Sequence, residues 1–206
     1  MKIIAVGMNY AEHNKELDGT LVSVPENPVI FMKPDSALLK DGKPFFIPDW
    51  AEQFDYETEL VVRINRLGKC IAPRFAHRYY DAFTVGIDFT ARDLQRKFRE
   101  KGYPWELCKG FDNSAVLGTF VPKENFADVQ NLNFSLNIDG KQVQKGCTAD
   151  MIHKVDDIIA YVSQFCTLKI GDFLFTGTPV GVGPVSVGQH LEGFLEGEKV
   201  LDFNIR

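Results

Sequence analysis

Apolar and polar residues alternate strictly from Tyr56 to Asn65. Tyr56, Thr58, Leu60, Val62 and Ile64 fall on one side of an extended chain; Glu57, Glu59, Val61, Arg63 and Asn65 fall on the other. Period-two alternation with β-branched residues predicts a half-buried strand. Shorter apolar runs predict strands at Lys2–Val6, Val29–Met32, Lys43–Ile47, Ala82–Phe89, Val116–Val121, Asn133–Ile138 and Asp172–Thr176, and two more within His190–Arg206. Asp139-Gly140 is a hairpin signal after the Asn133–Ile138 run.

Helical patterns are fewer. Tyr10–Leu17 reads as a short helix with Asn9 as N-cap. Pro73–Asp81 starts with proline in its first turn. Ala91–Lys101 is preceded by Thr90 as cap and closed by Gly102 at the C′ position. In Val155–Cys166, Val155, Ile158, Ile159 and Val162 share one face. Leu21–Pro28, with two prolines, reads as loop. Many short strands with few helices, not in βαβ order, predict an α+β, mainly β fold and disfavour a doubly wound parallel sheet.

Composition narrows the class. At 206 residues, with no internal repeat or linker, the chain suits one domain over 1–206, and 17 Phe imply a large aromatic interior. The balance of 23 basic against 28 acidic residues, net −5, argues against nucleic acid as partner. Cys70, Cys108, Cys147 and Cys166 have no C-x-x-C spacing and read as reduced thiols of a cytoplasmic protein. The apolar run at Met1–Gly7 is too short for a signal peptide, and no stretch approaches the roughly 18 apolar residues of a membrane span.

The chemistry concentrates at Glu57 and Glu59. On a strand both carboxylates point to the same side, about 7 Å apart at the backbone. They repel unless a cation lies between them, and hard oxygen ligands suit Mg²⁺, Mn²⁺ or Ca²⁺. A solvated outer strand face is the bland alternative. Asp88, at a strand end before a helix, is the candidate third ligand, and three protein oxygens would leave open positions for water or substrate. His13 and Glu16, at i and i+3 on one helix face, can hydrogen-bond as an oriented base, although a polar surface helix is the commoner meaning of such a pair. Lys109 lies in the uncharged stretch Leu107–Phe111, as a partly buried anion partner or a surface lysine. Gly177–Pro184 lacks the phosphate-loop pattern; its glycines let backbone approach a ligand, or simply make a turn, and Thr178 offers a hydroxyl. His77, His153 and His190 lack carboxylate or cysteine partners at ligand spacing and read as structural.

Taken in order, Gly7-Met8-Asn9-Tyr10, His13-x-x-Glu16, Phe31-Met32-Lys33-Pro34, Glu57-x-Glu59, Gly86-Ile87-Asp88-Phe89-Thr90-Ala91-Arg92-Asp93-Leu94-Gln95, Lys109, Gly171-Asp172 and Thr176-Gly177-Thr178-Pro179-x-Gly181-Val182-Gly183 resemble the fumarylacetoacetate hydrolase family, in its short, single-domain acylpyruvase-like branch. The resemblance runs over nearly the whole chain. It implies a mixed β-roll and a homodimer. It implies Mg²⁺ or Mn²⁺ (with Ca²⁺ able to replace them in crystals) held by Glu57, Glu59 and Asp88. It further implies a water-activating pair, His13 and Glu16, on a segment that orders over the ligand, and a substrate pocket lined by Lys109, Arg92, Gln95, Gly177 and Thr178. Two positions depart from the family pattern. Met8 stands where a basic residue is frequent, and Asp35 where Ser or Thr is usual.

The expected activity is metal-dependent cleavage of a C–C bond in an acylpyruvate or fumarylpyruvate, with Lys109 stabilising developing negative charge. The same chemistry would serve oxaloacetate decarboxylation or tautomerisation, or hydration or isomerisation of unsaturated 2-oxo acids. A non-catalytic metal- or ligand-binding protein is the alternative of another class; the His13/Glu16 pair and Lys109 argue against it, since a binder needs no general base.

Overall fold

The computed structural model describes residues 1–18 and 25–206, so residues 21–24 of the loop expected over Leu21–Pro28 lie outside the described residues. The chain begins with strand β1 (Ile3–Gly7), helix α1 (Ala11–Asp18), and strands β2 (Val29–Lys33), β3 (Leu38–Leu39), β4 (Phe54–Tyr56) and β5 (Thr58–Ile64). Helix α2 (Pro73–Ala76), β6 (Tyr80–Asp88), β7 (Thr90–Ala91), α3 (Arg92–Lys101) and α4 (Glu106–Lys109) follow. Next come β8 (Ala115–Leu117), β9 (Val121–Pro122), the hairpin β10 (Asn133–Ile138) and β11 (Lys141–Cys147), and α5 (Val155–Phe165). Strands β12 (Phe173–Phe175), β13 (Gly183–Pro184), β14 (His190–Leu195) and β15 (Glu198–Asn204) complete it.

An eight-stranded sheet runs β2-β1-β12-β5-β6-β8-β3, with β9 also paired to β6. Its β1–β12 and β3–β8 pairs are parallel, and the others antiparallel. A four-stranded antiparallel sheet, β11-β10-β14-β15, packs on it. A small sheet, β13-β4-β7, extends the path of the chain into and out of β5 and β6. This is the mainly β fold that the strand-rich pattern predicts.

The alternation in β5 has its expected consequence. Leu60, Val62 and Ile64 join Val85, Ile87, Leu136, Leu191, Leu201 and Phe203 in one core between the two large sheets. Burying a side chain such as Leu60, fully inaccessible here, contributes about 1.5–3 kcal/mol. The opposite face is covered too: Val61 packs with Ile3, Ala5, Ala115 and Phe175 in a second, smaller cluster. The solvated-face reading of the glutamate strand is therefore wrong. The apolar face of α5, Val155, Ile158, Ile159 and Val162, is buried as its periodicity predicts.

Several boundaries differ from expectation. Lys43–Ile47 is no regular strand; Pro44 has no N–H to give a ladder, and only Phe45 bridges to Ile205. Phe45 is instead an aromatic anchor, stacked on Phe89 at 3.9 Å. The helix expected to Asp81 stops at Ala76, and Tyr80 already pairs with Ile64. The run Val116–Val121 divides at Gly118, where Thr119 N–H turns to Val200 O of the second sheet, 2.7 Å away. Asn9 does not cap α1. Its amide donates to Thr176 O and His153 O and accepts from His153 N–H, which pins the start of α1 to two distant loops. Thr90 does not cap α3 either: it is a strand residue opposite Asp55, and the helix begins at Arg92 with no side-chain cap. Gly102 ends that helix in the left-handed conformation, φ 66°, and Asp139-Gly140 turns the β10–β11 hairpin with both φ positive.

Candidate active site

Strand pairing brings the three carboxylates together. Glu57 occupies the one-residue break between β4 and β5, Glu59 is the second residue of β5, and Asp88 ends the antiparallel neighbour β6. Asp88 N–H donates to Glu57 O at 2.9 Å, which locks the strand ends in register. One oxygen from each of Glu57, Glu59 and Asp88 lies within 4.8 Å of the others, and all three residues are buried. Buried like charges so close are unfavourable unless compensated. A compact set of three anionic oxygens is the donor set of a hard divalent cation, so the residues fit the ion that the spacing suggested.

Protein cations compensate two of the three. Lys109 Nζ lies 2.6 Å from Glu57 Oε2 and 2.8 Å from Asp88 Oδ2. Arg92 donates to Glu57 Oε1 at 2.6 Å, to Asp55 Oδ2 at 2.8 Å and to Gln95 Oε1 at 2.5 Å. Lys33, wholly buried, sits 2.5 Å from Asp88 Oδ1 and donates to Ser114 O and Oγ, each at 3.0 Å, and to Lys109 O. Burial opposes ionisation of Glu57, but Lys109 and Arg92 outweigh it and hold its carboxyl below the ordinary range. Glu59 is pushed well above it, by burial first and then by the negative charge of Asp88 and Glu57. Burial works against the charge of Lys109, yet Asp88 and Glu57 raise its pKa; for Lys33 burial prevails over Asp88 and lowers it.

The glycine-rich segment supplies backbone. Gly177 N–H donates to Glu59 Oε2 at 2.7 Å. Its φ of 97° and the 2.8 Å separation of a would-be Cβ from Asn9 Cβ both demand glycine. Thr178 is tied into the frame: its hydroxyl donates to Thr58 O and accepts from Gln144, which also donates to Pro179 O and accepts from Thr58 N–H.

His13 and Glu16 come together as expected, Nδ1 to Oε2 at 3.1 Å. Glu16 is held in turn by Gly181 N–H at 3.1 and 3.2 Å. His13 is buried and lines a cavity of about 40 Å³ with Asn14, Glu57, Glu59, Asp88, Gln95, Lys109 and Thr178. Val6, Met8, Phe31 and Trp105 supply apolar lining, and Arg99 lines the same cavity. Met8 has a positive φ of 62°, unusual for a residue with a side chain.

Sequence reasoning thus assembled seven residues that line one cavity. Arg92 is different: it lies behind Glu57 and faces an adjoining cleft with Asp55 and Gln95. Lys33, Asp55, Asn14, Arg99 and Gln144 were missed. A lysine ending the apolar run Val29–Met32 was a visible signal for Lys33; nothing local marks Gln144. His190 does have carboxylate partners, contrary to expectation. Asp202 lies 2.7 Å away across the β14–β15 hairpin, with Glu192 beside it, and Lys199 bonds both carboxylates. Register, not sequence spacing, creates that group.

The chain is similar to known proteins over nearly its whole length. Residues 2–205 match the profile of the family described as fumarylacetoacetate (FAA) hydrolase C-terminal. The chain is 42% identical over 200 residues to oxaloacetate tautomerase YcgM of Escherichia coli K12, covering 97% of this chain and 90% of that one. It is 37% identical over 204 residues to the mitochondrial oxaloacetate tautomerase FAHD1 of Mus musculus, covering 99% and 91%. Among solved structures, fumarylpyruvate hydrolase from Pseudomonas aeruginosa, in complex with Mn²⁺ and pyruvate, superposes with a TM-score of 0.92 at 33% identity, covering 100% of this chain and 89% of that one. Among the described residues, no helix is long and apolar enough to cross a membrane.

Proposed function

Because the chain belongs to the fumarylacetoacetate hydrolase family, whose members include oxaloacetate tautomerases and a fumarylpyruvate hydrolase, we propose that it is an enzyme that moves a proton at C3 of a small 2-oxo acid, with oxaloacetate keto–enol tautomerisation as the first reading. The observation that carries it is a braced imidazole, His13 on Glu16, in the same cavity as three clustered carboxylates and Lys109. Glu57, Glu59 and Asp88 would hold Mg²⁺ or Mn²⁺, which when bound supplies Lewis acidity toward the carboxylate and 2-oxo oxygens of the substrate.

The chain's own groups do the rest. With Nδ1–H donated to Glu16, the lone pair of His13 is on Nε2, free to accept a proton from C3 or return one. Glu16 keeps the ring oriented, and Gly181 keeps Glu16 in place. The Lys109 ammonium adds positive charge beside the oxygen that becomes anionic as the C3 proton leaves. Val6, Phe31 and Trp105 exclude water from the reacting carbons.

The second reading is C–C hydrolysis of an acylpyruvate or fumarylpyruvate. The His13–Glu16 pair favours it, because the same Nε2 can draw a proton from water as it attacks the distal carbonyl. The C2-bearing fragment then departs with the electron pair of the broken bond as pyruvate enolate, which the proton held on Nε2 can neutralise. Decarboxylation of oxaloacetate needs no such base and is less well supported.

The test is direct. Purified protein with Mg²⁺ or Mn²⁺ is assayed for decay of the enol absorbance of oxaloacetate, and separately for pyruvate release from fumarylpyruvate and acetylpyruvate. Acceleration of enol decay, abolished by chelator, is the expected result. Cleavage faster than tautomerisation would replace the first reading by the second, and no acceleration of either would overturn both.

A further inference from the structure

Asn14 brings an unused acceptor to the cavity. It follows His13 on α1, both residues are buried, and both line the cavity of about 40 Å³ with the three carboxylates. Its amide nitrogen donates to Met8 O at 3.1 Å. A carbonyl oxygen only accepts, so this contact fixes which end of the amide is nitrogen. The brace spans the turn from β1 to α1, where Met8 has its φ of 62°. The other end of the amide, Oδ1, is buried and has no hydrogen-bond partner among the described residues. Two donors of the same cavity are turned elsewhere, Lys109 Nζ to Glu57 and Asp88, and His13 Nδ1 to Glu16. A buried acceptor without a donor is unfavourable and rare in native proteins. The cavity exceeds the roughly 10–15 Å³ that one water needs, so it has room for a group that carries the missing donor.

We propose that Asn14 Oδ1 accepts a hydrogen bond from a ligand hydroxyl, so that the site takes 2-hydroxy acids as a second class of ligand beside 2-oxo acids. This rests on the 2-oxo acid reading above and deepens it. The keto form of an ionised 2-oxo acid presents only acceptor oxygens, and a carbonyl set against Oδ1 leaves both without a proton. A hydroxyl on C2 supplies the missing donor. Two species carry it: the enol tautomer, and the 2-hydroxy acid in which C2 is reduced. The proton transfer assigned to His13 connects the keto form with the first of them, and Asn14 favours the enol side of that step. The second has no carbonyl to acidify C3, so it binds without turning over and inhibits.

The experiment measures binding as well as turnover. Calorimetric titration in Mg²⁺ compares pyruvate with each enantiomer of lactate, which share the carbon chain and carboxylate and differ in a C2 carbonyl against a C2 hydroxyl. Wild type is expected to bind both acids. In Asn14→Leu the affinity for the better lactate enantiomer, relative to pyruvate, should fall about fivefold, the net worth of one neutral hydrogen bond. Asn14→Asp keeps an acceptor and gives up the Met8 brace, so it should keep the wild-type ratio or raise it. Both acids are measured on the same variant, so a general disturbance of the turn cancels in the ratio. Melting temperatures check folding, and Asn14→Ala serves where Asn14→Leu fails to fold. A ratio unchanged within about twofold in the apolar variant means that water satisfies Oδ1 and overturns the inference. An equal fall in Asn14→Asp assigns Asn14 to the brace alone and overturns it too. A wild type that binds pyruvate and not lactate overturns the inference and leaves the 2-oxo acid reading standing, whereas binding of neither acid overturns both. Lactate binding weakened in Asn14→Leu, without turnover of any 2-oxo acid by wild type, would support the inference and overturn the proposed activity alone.

Discussion

Replacing Glu59 by Gln should separate two opposing effects of one buried carboxylate. Glu59 is fully buried, and its pKa lies well above the ordinary 4.5 because of burial and then Asp88 and Glu57. A carboxyl so raised binds its proton more tightly in the fold than in the unfolded chain. Its contribution is present below pH 4.5 and lost as pH rises through the folded-state value. Glutamine has no charge to desolvate, its oxygen can still accept from Gly177 N–H, and its amide can donate toward Asp88. Metal-free Glu59→Gln should therefore be at least as stable as metal-free wild type at pH 8, with a difference that shrinks as pH falls. Metal reverses the order. At a Mg²⁺ concentration of 100 times the wild-type Kd, binding stabilises by about 2.7 kcal/mol, or about 5–11 °C in Tm for a domain of this size. Loss of partners behind metal ligands alone weakens binding 10- to 100-fold, so loss of a ligand should weaken it about 100-fold or more. The same Mg²⁺ concentration then stands near one Kd, and the stabilisation falls to about 0.4 kcal/mol, or about 1–2 °C. Differential scanning calorimetry of both proteins at pH 5 and 8, with Mg²⁺ and with chelator, reads all four quantities. A wild-type metal shift in Glu59→Gln would refute the ligand assignment. A metal-free variant less stable than wild type at pH 8 would refute the electrostatic argument.

Two further outcomes follow from the same geometry. His13→Ala should lower the accelerated reaction by about 10²- to 10⁴-fold, the usual worth of a general base, while metal affinity stays within a few-fold; calorimetry beside steady-state kinetics checks both, and a comparable loss of metal affinity would show a structural role instead. Gln144→Leu leaves Thr58 N–H and Pro179 O without their partner, at about 1–3 kcal/mol each. Urea unfolding should thus show a loss of about 2–6 kcal/mol, and a loss under 1 kcal/mol would mean that the clamp between β5 and the glycine-rich segment is dispensable.

Local chemistry alone determined much of this protein. The period-two run around Glu59 dictated a strand with both glutamates on one side, the i, i+3 spacing of His13 and Glu16 dictated their contact, and the periodicity of Val155–Cys166 dictated its buried face. These are properties of a few neighbouring residues, and local geometry expresses them directly. Asp88 at a strand end and Lys109 in an uncharged stretch were legible as candidates too, and the family resemblance joined them to the glutamates in one site. What only the tertiary structure decided depends on register and on partners distant in sequence. Glu57 and Glu59 look alike in the chain, but Lys109 and Arg92 reach only Glu57, and so the two carboxyls shift in opposite directions. Arg92 reads as a pocket residue by motif yet turns inward to Asp55, because α3 starts against β4. Asn9 and Thr90 have the composition of helix caps, but longer-range bonds claimed Asn9 for Thr176 and His153 and placed Thr90 in a strand. A side chain's hydrogen-bonding capacity is written in its type; which partner uses it is settled only when the sheets close and every buried polar group must be satisfied.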